Sequence, residues 1–438
     1  MKKVKIANGQ GFWGDSIEAP SDLINYGKID YLTLDYLAEV TISIMQKQKM
    51  KNPNNGYALD FPDLIINNYD KLIENNIKVI TNAGGVNPKA CADKIKTLLN
   101  KKKINIGIVE GDDILNNIDY FIDNGVTFQN IDTGESIDKI RNSLCSANVY
   151  IDSYCIKEAL DMKANIVLSG RVSDPGLTLG PLLHEFNWKK NDYNKLASGT
   201  LAGHIIECGA QCTGGNFTRW YNIKDLYNIG YPIANVSESG DFSIIKPPGT
   251  GGQINQFTIT EQILYEMGDP KNYISPDVCV DFTSFKLDEK NNDKVFLSNI
   301  RGFEPTNTFK VSISYLAGYK STGQLTISGP NSYLKAKKTA EIIWERLNKI
   351  GLRFDKSNTE YIGKSDYDND NDITLRLSVL DKSKDKVARF GKEISPVITS
   401  GVPGTTGFSG GRPKPQEVIA YWPALIPKKL IKTKVTLI

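Results

Sequence analysis

The stretch "IKVITNAGGVNPKACADKIKTLLNKK" (residues 77–102) holds the whole fold logic of the chain in one unit. Ile77–Asn82 is a short apolar run closed by glycine, the pattern of a strand buried on both faces. Gly84 and Gly85 predict a tight turn from strand to helix. Asn87 then stands at an N-cap position with Pro88 at the first helical position. A helical pattern follows to about Leu99.

The same succession occurs six times in the first 170 or so residues. "VKIAN" (4–8), "YLTLDY" (31–36), "NIGIVEG" (105–111), "SANVYID" (146–152) and "NIVLSG" (165–170) each lead into a helical pattern. The expected fold class is therefore α/β, a mainly parallel sheet built from repeated βα units and followed by an α+β portion. Near residue 200 glycines and aromatics take over. The expected division is a Rossmann-like α/β domain over 1–228 and an α+β domain over 229–438. Within the latter, "GDFSIIK" (240–246) reads as a strand after a turn, and "KVSISYLAGYKSTGQLTIS" (310–328) alternates like a β-hairpin. Ala336, Ala340, Ile343 and Leu347 form one helical stripe facing a core. "SDYDNDNDIT" (365–374) lacks the glycine and glutamate of a calcium loop and reads as a polar loop.

At 438 residues, with 40% hydrophobic and 24% charged residues, the chain has material for a sizeable core. Its 53 basic residues nearly balance 50 acidic ones, so no nucleic-acid surface is expected. No apolar run approaches the length of a membrane span. The six cysteines show no C-x-x-C spacing, which suits free thiols in the cytoplasm.

In open α/β sheets, ligands bind beyond the carboxyl ends of the strands. Those positions hold Asn8 and Asp15, then Asp35, Tyr36 and Glu39, then Asn82, Gly84, Gly85 and Asn87. Glu110, Asp112, Asn148, Arg171 and Asp174 follow. The Gly84–Asn87 turn offers a helix start for a phosphate or carboxylate, although it matches no nucleotide-binding fingerprint. Arg171 has the fork geometry to grip an acid, and with Asp174 it equally forms a loop-closing bridge. In "TLAGHIIECGAQCTGGNF" (200–217), His204, Glu207 and Cys208 share a helical face. That trio suits acid/base work or an activated thiol, and equally a buried histidine beside apolar cysteines. No standard zinc spacing appears, and a metal is neither implied nor excluded. "KPPGTGG" (246–252), with Lys246, and "SGVPGTTGFSGGRPKPQEV" (400–418) are glycine-rich loops of the kind that approach ligands. The expected catalytic set is His204, Glu207, Asp174, Glu110 and Cys208. The expected substrate-binding set is Asn8, Asp15, Asp35, Asn82, Gly84, Gly85, Asn87, Asp112, Arg171 and Lys246.

"IANGQGFWGDS", "DYLTLDYLAEVT", "TNAGGVNP", "GRVSDPGLTLGPL", "GTLAGHIIECGAQCTGGNF" and "KPPGTGG" together resemble the signature blocks of the acyclic terpene utilisation A family. "SGVPGTTGFSGGRP" and "AYWPALIP" continue the likeness, which covers nearly the whole chain in order. The chain resembles the short form without the C-terminal ferredoxin-like extension, and this implies a small separate protein of that fold as partner. The family's setting, the breakdown of branched acyl-CoA thioesters, implies a hydratase- or lyase-type enzyme acting on a branched carboxylic acid or its acyl-CoA thioester. Coenzyme A would then enter as part of the substrate, and the resemblance names no cofactor. A non-catalytic scaffold subunit and a nucleotide- or phosphate-binding enzyme are the alternatives. A homo-oligomer is expected, with no nucleic-acid or membrane partner.

Overall fold

The computed structural model describes residues 2–100, 102–291, 293–363, 372–408 and 410–438. Two compact units divide the chain: Met1–Ser314 with Tyr421–Ile438, and Tyr315–Ala420. The larger unit is mixed α/β. Its first strands are β1 (Lys3–Asn8), β2 (Tyr31–Leu34), β3 (Lys78–Thr81), β4 (Ile106–Glu110), β5 (Leu144–Val149) and β6 (Ile166–Leu168). Five of these run parallel in the order β1-β2-β3-β6-β4. Leu32, Leu34, Val79, Ile106 and Leu168 belong to one apolar core with Phe61, Ile65, Ala92 and Ile95 of the covering helices.

Antiparallel strands extend this parallel centre at both edges. β7 (Ile233–Ser237) pairs with β1, and β8 (Phe242–Ile245) pairs with β7. Three short strands follow, β9 (Tyr273–Ile274), β10 (Cys279–Asp281) and β11 (Lys286–Asn291), and then β12 (Lys294–Ser298) and β13 (Arg301–Phe303). β12 joins β8 and β11 joins β12, while Lys434–Leu437 pairs antiparallel with β4. Strands from both sides of residue 228 thus share one sheet. The sheet is mixed, and not an uninterrupted run of parallel βα units, because tight turns such as Ser237–Phe242 reverse the chain where a helical crossover would keep its direction. The strand expected at 146–152 also departs from the parallel set. The Ser146 hydroxyl lies 2.6 Å from that of Ser314, and the Tyr150 N–H donates to the Lys310 carbonyl.

The smaller unit contains most of β14 (Thr308–Ile327), then β15 (Lys356–Ile362), β16 (Ile373–Asp381) and β17 (Thr405–Phe408). Helices Ser332–Lys349 and Lys384–Ile394 separate β14 from β15 and β16 from β17. The antiparallel order β15-β16-β14-β17 with this connectivity is the βαββαβ arrangement of ferredoxin-like folds. Ala336, Ala340, Ile343 and Leu347 are buried against the sheet as the stripe required. The hairpin expected at 310–328 is instead a single strand. Gly318 takes φ 148° within it, so the backbone absorbs the irregular residue without reversing. Residues 364–371, most of the "SDYDNDNDIT" segment, lie outside the described residues. No described helix is long and apolar enough to cross a membrane.

Phe390 anchors the smaller core, fully buried, stacked on Trp344 and edge-on to Phe354. Phe390→Ala is expected to destabilise this unit by about 3–5 kcal/mol, read by denaturant unfolding of the full chain followed by Trp344 fluorescence.

Candidate functional site

Beyond the carboxyl ends of the parallel strands lies a cleft of about 370 Å³. Gly11 and Phe12 reach it from β1, Asp35 and Leu37 from β2, and Arg171 and Asp174 from β6. Glu207 and Cys208 come from the end of helix Tyr193–Ile206, and Tyr265 and Glu266 from the end of helix Gln256–Leu264. Two glycines permit this convergence by close backbone approach. A Cβ at Gly203 would lie 2.6 Å from the Pro175 carbonyl oxygen, and one at Gly11 would lie 2.8 Å from the Cys208 carbonyl carbon. The first contact presses the Glu207 helix against the Asp174 loop, and the second presses it against the turn after β1.

Arg171 is the charge at the centre. Its residue is 2% exposed, with Nη1 donating to the Leu37 carbonyl at 2.5 Å and Nη2 to Asp174 Oδ1 at 2.6 Å. Its guanidinium carbon lies 4.1 Å from the Tyr150 ring centroid. The Arg171–Asp174 pair is therefore the loop-closing bridge, and it also lines the cleft. Asp112 accepts from the Arg171 N–H at 2.6 Å and from Asn148 Nδ2 at 2.9 Å, and burial raises its carboxyl to about 7.

Glu207 faces the cleft with His204 behind it. His204 Nδ1 lies 3.0 Å from Glu207 Oε1, and Nε2 lies 3.2 Å from the Ile263 carbonyl. The imidazole is buried against Tyr273 and Phe282 and does not line the cleft. Burial opposes its protonation, yet the Glu207 charge, the bond to Glu207 and the Ile263 carbonyl outweigh burial and raise its pKa above the ordinary value. Burial raises Glu207 above the usual carboxylate range, although His204 pulls the other way. His204, expected among the catalytic residues, thus stands behind Glu207 and outside the cleft lining.

Asp35 is the companion carboxylate. Asn82 Nδ2 donates to its Oδ1 at 2.6 Å and the Leu37 N–H at 3.2 Å, while Asn82 Oδ1 accepts from the Tyr36 N–H. Burial raises its carboxyl to about 6 against the pull of Arg171 and Asn82, with Glu207 adding to the rise. Asn82 is fully buried and orients Asp35.

Other expected residues serve the frame around the cleft. Asn8 donates to the carbonyls of Ile206 and Glu207 at 2.8 and 2.7 Å, pinning the helix end that carries Glu207. Asp15 accepts from the Gly11 N–H and the Tyr231 hydroxyl, closing the turn after β1. In the Gly84–Asn87 turn the Gly85 and Asn87 amides donate to the carbonyls of Asn82 and Gly84. Asn87 occupies the N-cap position, but its side chain makes no cap and donates to the carbonyls of Pro53 and Asn55. Gly84 is closed in by Pro88 and the Ser169 carbonyl, and Gly85 by Met45, because this turn packs against its neighbours. Glu110 sits opposite Lys434 in its strand pair and is not among the cleft residues. Lys246 donates to the Thr250 carbonyl and pairs with Asp293 at 3.1 Å, away from the cleft. Cys208 lines the cleft, but burial and Glu207 push its thiol far up, which is the reverse of an activated nucleophile. His184 pairs with Asp161 at 2.6 Å. The Glu39 side chain lies outside the described residues.

Sequence reasoning missed Tyr265 and Glu266, which follow no strand and carry no motif; Glu266 takes φ 55°, which no local residue pattern announces. Among the described residues no group of three or more His, Cys, Asp or Glu side chains is arranged to hold a metal ion.

Gly203→Ala forces the Glu207 helix off the Pro175 backbone and is expected to lower stability by about 1–3 kcal/mol, checked by thermal unfolding. The raised carboxyls also set a pH dependence. Asp35 and Asp112 hold their protons more tightly folded than unfolded, so their stabilising contribution is complete below the unfolded value and is lost as pH rises through about 6 and 7. Melting temperature should fall between about pH 4 and 7 from this source, and Asp112→Asn should flatten the fall.

The model of the family described as acyclic terpene utilisation family protein AtuA matches residues 4–437. No curated protein and no solved structure matches. The converging segments that carry Gly11, Asp35, Arg171 and Glu207 all fall inside that match, and the chain belongs to the acyclic terpene utilisation AtuA family.

Proposed function

We propose that the cleft is the active site of a hydratase- or lyase-type enzyme acting on a branched carboxylic acid or its acyl-CoA thioester. One observation carries the reading. Asp35 and Glu207, two carboxyls with raised proton affinity, line the same cleft in the field of one buried guanidinium. Paired titrating groups in different surroundings are the usual equipment for moving a proton at each end of a bond. Family membership supports the substrate class.

In the direction of water loss, ionised Glu207, steadied by His204, takes the proton from the carbon next to the carbonyl. That C–H electron pair becomes the C=C bond. The C–O bond on the neighbouring carbon breaks toward oxygen, which leaves as water with the proton of Asp35. Hydration is the reverse. Arg171, whose guanidinium donates to Leu37 and Asp174, stabilises the negative charge that develops on the carbonyl oxygen through its field. A separate small ferredoxin-like protein is proposed as partner, in a homo-oligomeric assembly. The free state of all six cysteines supports a cytoplasmic setting.

The test is a spectrophotometric screen of hydroxyacyl and enoyl acids and their CoA thioesters, with and without co-expressed partner. Glu207→Gln and Asp35→Asn are each expected to lower kcat by about 10²–10⁴-fold, with Cys208→Ala near the parent rate. Because Asp35 acts protonated, the rate of water loss should decline as pH rises above about 6. Full turnover in both carboxyl variants would refute the assignment.

A further inference from the structure

A second, more apolar cleft of about 480 Å³ adjoins the first, and Asp174 and Glu266 line both. Its walls include Tyr150, Tyr273, Phe309 and Leu425, and its basic residue is Lys310. Lys310 Nζ lies 5.0 Å from the Tyr150 ring centroid, the same ring that Arg171 approaches at 4.1 Å. The two cationic centres are therefore no more than about 9 Å apart, the sum of those ring distances. Among the described residues Lys310 makes no ion pair, whereas Arg171 is bonded to Asp174.

These charges divide the combined cleft into two unlike ends. The first chamber holds Asp35, Asp174, Glu207 and Glu266 against Arg171 alone, an acidic excess that repels an added anion at short range. The second shares Asp174 and Glu266 with it but lacks Asp35 and Glu207, and adds a solvent-reaching cation on an apolar floor. From this we infer that Lys310, and not Arg171, reads the anionic group of the ligand, while the ligand's uncharged polar end enters the acidic chamber. The inference rests on the cleft being the active site as proposed above, and it adds the ligand class: an amphipathic acid whose anion and neutral reactive group are separated by a short hydrocarbon chain. Lys310 is then a specificity-determining residue. Its ammonium lies over the rings of Tyr150 and Tyr421, and its backbone carbonyl accepts from the Tyr150 N–H.

The test measures binding and needs no turnover. Calorimetric titration at about pH 8 compares three probes of one length, 6-hydroxyhexanoate, hexanedioate and 1,6-hexanediol. The full chain is expected to bind the hydroxy acid roughly fivefold or more tightly than the diol, the scale of one solvent-reaching ion pair. It should also bind the hydroxy acid more tightly than the diacid, whose second carboxylate meets the acidic chamber. Lys310→Met, which keeps the apolar stem, should bring the hydroxy acid down to the diol's affinity, and added salt should narrow the gap in the parent. Equal affinity for hydroxy acid and diacid, an unchanged preference in Lys310→Met, or no binding of the hydroxy acid at millimolar concentration would each overturn it. A failure here with turnover still lost in Glu207→Gln sinks only the Lys310 assignment. Retained preference with unimpaired Glu207→Gln sinks only the catalytic reading.

Discussion

Burial of the Arg171 guanidinium is the constraint on which the site depends. A cation that is 2% exposed survives only where opposite charge and acceptors surround it. Asp174, the Leu37 carbonyl and the Tyr150 ring meet that need directly, and Asp112 binds its backbone N–H. The same field acts on Asp35 and Glu207 from within the cleft and lets both carboxylates be buried together. Without it, two ionised groups in so little water would both take up protons, and the difference between them would be lost.

The convergence itself is built from backbone contacts. Gly203 against Pro175 and Gly11 against Cys208 bring three chain segments closer than side chains would allow. Asn8 then ties the end of the Glu207 helix to β1 through two carbonyls. A helix buried along nearly its whole length, as Leu196–Ile206 is, delivers Glu207 at its end with little freedom. His204 sits one turn earlier, buried against Tyr273 and Phe282, with Glu207 between it and the cleft.

Much of the fold was legible because strand–glycine–helix succession is local. The apolar runs ending at Asn8, Leu34, Thr81, Glu110 and Leu168 each became a parallel strand. The antiparallel edges and the separate place of β5 were not legible, since which strand pairs with which is settled by residues far apart in sequence. The continuous β14 illustrates the same limit. A glycine in an alternating run is compatible with a turn or with a strand, and pairing with distant segments, such as that of Tyr319–Ile327 with β16, decides.

For the site, sequence alone determined which residue types stand at the strand ends, and Asp35, Arg171, Asp174, Glu207 and Cys208 do line one cleft. Composition also determined that charge is nearly balanced over the chain. Tertiary structure decided the placements: Asn8, Asp15 and Asn82 hydrogen-bond within the frame, Glu110 and Lys246 stand outside the cleft lining, and Tyr265 and Glu266 enter it without a motif. The reason is physical. Residue identity sets what a group can donate, accept or ionise, but burial and neighbouring charge set what it does, and both come from segments brought together only by folding.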